Sequence, residues 1–126
     1  MLNQHTQIDE ATGLDSVLSG FQALAEELEM DDEIRNDLLR SFLDRCRGFL
    51  EGLKQSVETD DTDLFERTTH SLKGLSGNMR FAELNQANEN FTDAVKQGDA
   101  VAAQIALQTM HQEYIKLEKA ILSLID

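Results

Sequence analysis

The sequence predicts an all-α protein, an antiparallel up-down-up-down four-helix bundle with an additional N-terminal helix. Three observations carry that expectation. Proline is absent from all 126 residues, so no residue locks φ or removes a backbone donor inside a helix. The strong helix formers Leu, Ala, Glu and Gln are abundant, and β-branched runs are few. Apolar residues recur at steps of three and four along most of the chain, the period of a helix with one buried face.

Each element follows from that period. Residues 1–12 have no apolar repeat and are expected to form a flexible arm, with residues 13–126 as one helical domain. The first helix should begin near Leu14 and bury Val17, Leu18, Phe21, Leu24, Ala25 and Leu28. The cluster Glu26, Glu27, Glu29, Asp31, Asp32 and Glu33 spans the break after it, and Asp31 or Asp32 opens the second helix. Its inward stripe reads Ile34, Leu38, Phe42, Cys46, Phe49, Leu53 and Val57. Cys46 lies on that stripe as a small buried hydrophobe. Gly48 and Gly52, inside the same helix, weaken it and mark the close approach of another helix.

The polar run from Glu58 to Asp63 supplies a turn and an N-cap, so a third helix is expected from Thr62 to Asn78. The fourth carries Phe81, Leu84, Ala87, Phe91 and Val95 to Lys96, with Gly98 as a left-handed C-cap. Asp99 caps the fifth, whose seam is Ala100, Ala103, Leu107, Met110, Tyr114, Leu117, Ile121 and Leu124. Short connections between long amphipathic helices make sequence neighbours antiparallel, with the first helix packed across one end or side.

Charge narrows the function. Eleven Lys and Arg against 24 Asp and Glu give a net charge of -13, which disfavours tracking of nucleic-acid phosphates or binding to an anionic membrane surface. No apolar run reaches the roughly 18 residues of a membrane span, and the N-terminus lacks the regions of a signal peptide, so a cytoplasmic location is expected. A single cysteine makes no intrachain disulfide, and no Cys/His spacing suits zinc, so no metal site is expected. His5 and His111 stand alone and read as solvated or structural, and no nucleotide-binding motif is found.

The third helix differs from the rest. Its inward residues are Leu64, Phe65, Thr68, Leu72, Leu75 and Met79, and at about 100° per residue His70 points roughly 170° away from their centre. Gly74 and Gly77 lie within about 40° of His70, and Lys73 and Arg67 within about 60°. The helix therefore presents an imidazole over nearly bare backbone. Each interior glycine costs about 1 kcal/mol relative to alanine, and room for another protein beside the imidazole is one reason to keep both. Between Arg67 and Arg80 the sequence holds Arg67, Lys73 and Arg80 and no carboxylate, reversing the sign of the whole chain. A neutral imidazole offers a nitrogen lone pair as nucleophile, and nearby cations stabilise charge on a transferring phosphoryl group.

The run His70-Ser71-Leu72-Lys73-Gly74-Leu75-Ser76 resembles the His-x-Leu-Lys-Gly-x-Ser signature of histidine-containing phosphotransfer (HPt) domains. The Phe42-containing helix before it and the Val95-Lys96-Gln97-Gly98-Asp99 turn after it resemble the family's layout from about residue 31 to the end. The resemblance implies a phosphoryl carrier, not a free-standing enzyme. His70 would accept a phosphoryl group from the receiver domain of a hybrid sensor histidine kinase and pass it to a response regulator aspartate. Lys73 would assist electrostatically, Gly74 would leave room for the partner, and Ser76 would serve local packing or hydrogen bonding. The partner face would be Arg67, Gly74, Gly77 and Arg80, and the chain a monomer without cofactor, with Mg²⁺ supplied by the receiver. A close variant is a chemotaxis-kinase module phosphorylated directly by an ATP-bound kinase domain. The chain departs from the family where Arg80 and Phe81 stand, since the family often has glycine and then a small residue. That makes the end of the site bulkier and more basic, and Arg80 is expected either to help select an acidic receiver surface or to be a solvated helix-end cation. Asn78 is expected to cap the helix or touch a partner. The alternative function is a non-phosphorylated acidic helical module that binds and sequesters a receiver or another signalling protein.

Overall fold

The computed structural model describes residues 17–126, and every regular element among them is a helix. We number them α1 (helical over 17–27), α2 (Asp32–Glu58), α3 (Thr62–Asn78), α4 (Ala82–Lys96) and α5 (Ala100–Ile125). The expected arm over 1–12, the helix start near Leu14, and His5 lie outside the described residues. Contacts run from α2 to α3, α3 to α4, α4 to α5 and α5 back to α2, so the four long helices close around one core. Tyr114 fastens the α5–α2 seam: its hydroxyl donates to the Leu43 carbonyl at 3.3 Å and accepts from Arg47 Nε at 3.4 Å.

Helix starts follow the sequence closely. Asp31, Asp61 and Asp99 each accept a hydrogen bond from the backbone N–H three residues on, satisfying a donor that the helix itself leaves unpaired. Helix ends share one device. After α1, α2, α3 and α4 a residue turns left-handed, with φ of 52° at Glu29, 53° at Asp60, 59° at Arg80 and 72° at Gly98. The next N–H then reaches back to a carbonyl five residues earlier, Met30 to Ala25, Asp61 to Ser56, Phe81 to Ser76 and Asp99 to Ala94, each at 2.9 Å. Only Gly98 takes that conformation without strain against a Cβ.

The core is rotated on α2 relative to the sequence expectation. Leu39, Phe42, Leu43, Cys46, Leu50 and Leu53 are buried, whereas Ile34, Leu38 and Val57 are exposed and Phe49 is half-buried. The apolar pairs Leu38-Leu39 and Phe42-Leu43 allow two overlapping stripes, and contacts with α3 and α5 select the second. Leu28 is also exposed, because α1 ends at residue 27 and Leu28 belongs to the turn. Burial pushes the Cys46 thiol up to about 12, so it stays protonated as a packing group.

The end of the molecule beneath α1 is aromatic. Phe81 lies 4.8 Å from Phe42 and 6.1 Å from Phe21, ring centre to ring centre, and all three are fully buried. Gly20 seats α1 on the α3–α4 turn: a Cβ there would stand 2.7 Å from the Arg80 carbonyl oxygen. The two glycines of α2 diverge. A Cβ at Gly52 would touch Thr68 of α3 at 3.4 Å, the close approach expected, but nothing lies within 4 Å of one at Gly48.

Candidate functional site

The expected residues of α3 fall where the angular argument puts them. Phe65, Thr68, Leu72, Leu75 and Met79 are buried, Leu64 is half-buried, and His70, Lys73, Gly74 and Gly77 are exposed on the opposite side. A Cβ at Gly74 would meet nothing within 4 Å, so the surface next to His70 is open. Among the described residues, neither the His70 nor the Lys73 side chain has a hydrogen bond or ion pair. One nucleophilic ring and one cation, a helical turn apart, are free to meet a substrate.

The other two cations of this stretch, Arg67 and Arg80, have carboxylate partners. Arg67 Nε pairs with Asp63 at 3.0 Å, and Arg80 pairs with Glu27 of α1 at 3.1 Å. The stretch free of carboxylates in sequence thus meets carboxylates in space, one from the preceding turn and one from 53 residues away. Arg80 pairs with α1 and Phe81 lies in the core, so the departure from the HPt pattern at these two positions builds the seat of α1. Asn78 is exposed and does not cap α3; Met79 holds the C-cap position. His111 is exposed on α5.

Between α3 and α4 a groove borders His70 and Lys73, with Asn85, Asn88, Glu89 and Asp93 on its α4 side. This side was not anticipated. Asn85 Nδ2 donates to the Lys73 carbonyl at 3.0 Å and to Ser76 Oγ at 2.9 Å. Ser76, fully buried, donates in turn to the Leu72 carbonyl at 2.7 Å, so it serves packing and hydrogen bonding as the resemblance implies. Asn88 is buried, and its Nδ2 donates to the Thr69 carbonyl at 2.9 Å. Its Oδ1 has no partner among the described residues. An asparagine one turn past Leu84, on a stripe that is otherwise apolar, was the available sequence signal.

Among the described residues no group of three or more His, Cys, Asp and Glu is arranged to hold a metal ion, and no helix is long and apolar enough to cross a membrane. No curated protein and no solved structure matches the chain significantly. The family model described as Hpt domain matches residues 37–120, from the second turn of α2 to the last turns of α5. With His70, Lys73 and Gly74 on one exposed face inside that match, the chain belongs to the Hpt domain family, whose members are phosphocarrier modules of phosphorelays.

Proposed function

We propose that this protein accepts a phosphoryl group on His70 from the phosphoaspartate of a hybrid histidine kinase receiver domain and returns it to an aspartate of a response regulator. One observation carries the reading: His70 stands exposed with Lys73 one turn on and open space at Gly74. In the forward step an imidazole nitrogen lone pair forms a P–N bond as the P–O bond to the aspartyl carboxylate breaks, and the carboxylate leaves with the electron pair. The reverse step regenerates the imidazole. Lys73 supplies positive charge beside the phosphoryl oxygens, while Mg²⁺ and the acidic pocket belong to the receiver.

The receiver settles over Gly74 and Gly77, flanked by Arg67. Arg80 is the fourth residue of that face, its guanidinium already paired with Glu27. The reading includes a monomer in the cytoplasm, one domain over residues 13–126, and α2–α5 alternating in direction. The three-residue connections Thr59–Asp61, Met79–Phe81 and Gln97–Asp99 and the closed circuit of contacts support that arrangement.

The test is phosphoryl transfer from a panel of phosphorylated receiver domains to the wild-type chain and to His70→Gln. Acid-labile, alkali-stable label on wild type alone is the expected result. No label from any receiver would overturn the relay and leave the sequestering module as the better account.

A further inference from the structure

We propose that Asn85 and Asn88 of α4 are positioning residues for phosphoryl transfer, holding the α3 backbone on both sides of His70; this rests on the phosphotransfer reading above. The carbonyls they grip, Thr69 and Lys73, flank His70 in the chain. Neither carbonyl needs a second donor for satisfaction, since each lies inside α3 and accepts the N–H four residues on.

Stability alone does not select these amides. Asn88 is 2 % exposed and its Oδ1 has no partner among the described residues, a desolvation cost that an apolar side chain would avoid. Its orientation is fixed, because only Nδ2 can donate to the Thr69 carbonyl. Asn85 acts on the weakest stretch of α3. Gly74 and Gly77 lower helix propensity there, and the Asn85 amide spans from Lys73 to Ser76, 3.8 Å from where a Gly77 Cβ would stand.

The two requirements on this stretch conflict. An open approach to His70 calls for glycines, and transfer calls for a backbone that does not yield when the partner docks. Two amides from the neighbouring helix reconcile them, fixing α3 from the groove side and leaving its outer face bare. A displacement of the α3 backbone moves the imidazole with it, and misplacement of about 1 Å in a group-transfer site reaches a hundredfold in rate.

The experiment uses the full chain with a receiver domain shown to phosphorylate it, comparing wild type, Asn85→Leu and Asn88→Leu. Leucine keeps the branched four-atom side-chain skeleton and favours the helix while removing the donors. Expected is a fall of about tenfold in the maximal transfer rate with KM for the receiver within twofold of wild type. Amide hydrogen exchange across residues 74–79 should quicken by about as much, and by more than any change in global stability read from the melting temperature accounts for. Variants that fold and transfer at the wild-type maximal rate overturn this inference and leave the phosphotransfer reading standing. A loss carried entirely by KM also overturns it, by making the amides docking residues. A wild-type chain that takes no label overturns the phosphotransfer reading, and this inference with it.

Discussion

The seat of α1 on the α3–α4 turn and the outer face of α2 and α3 are both built on glycine, for opposite reasons. At Gly20 the missing Cβ is replaced by the Arg80 backbone, and at Gly48 and Gly74 it is replaced by nothing. A glycine in a helix thus signals closeness, but whether the neighbour is already present or has yet to arrive is decided only in three dimensions. The packed seat belongs to folding, and the open face is the one the proposed phosphotransfer would use.

The sharpest break in that comparison is Gly20→Ala. Its Cβ meets backbone, which cannot rotate away, so the variant should lose about 1–3 kcal/mol in urea unfolding, the range for overpacking. A loss below about 0.5 kcal/mol would show that the seat is loose.

The packed side also sets a pH dependence. The Cys46 thiol, raised to about 12 by burial from a value near 9.0, holds its proton in the folded chain where the unfolded chain has lost it. Its contribution to stability is therefore complete below about pH 9 and disappears as pH rises toward 12, at up to about 1.4 kcal/mol per pH unit. Tyr114, raised mainly by burial, adds to the same trend. Urea unfolding of Cys46→Ala between pH 8 and 10.5 should show a visibly flatter slope than wild type.

On the open face the sign reverses. Gly48→Ala and Gly74→Ala should each stabilise the chain by up to about 1 kcal/mol, because a methyl there meets nothing and alanine is the better helix former. Gly74→Ala should nonetheless slow transfer, so one variant moves stability and activity in opposite directions. A destabilised Gly48→Ala would mean that α2 is held more closely than its surroundings indicate.

The smallest effect is at the boundary between the two regions. Arg80→Gly relieves a left-handed residue, worth about 1–2 kcal/mol per residue, and forfeits an exposed ion pair worth at most about 1 kcal/mol. A net gain of about 0.5 kcal/mol is expected, after the greater freedom of unfolded glycine. Arg80→Ala keeps the strain and loses the pair, so calorimetry should place it below wild type.

The same contrast explains how far the sequence could be read. Local signals decided the ends of α3, the Asp99 cap, the left-handed Gly98 and the outward face of His70, and narrowed the α2 start to Asp31 or Asp32, because each depends on residues within a few positions. The burial of α2 was misjudged at Ile34, Leu38 and Val57 because two apolar stripes overlap on one helix and its neighbours choose between them. Long-range pairing was out of reach for the same reason. Nothing near Arg80 announces Glu27, and an asparagine in a helix reads as surface until another helix's carbonyl is found opposite it.

Cys46 gives the molecule an internal clock. Burial pushes the thiol up to about 12, so the sulfur stays protonated at neutral pH, and it has no exposure in the folded chain. An alkylating reagent therefore reaches it only when the helices part, and the rate of labelling counts openings of the core. As the lone cysteine in 126 residues it needs no engineering to report. The same burial keeps it off the oxidation ladder, so peroxide that oxidises exposed thiols elsewhere should leave Cys46 a free thiol.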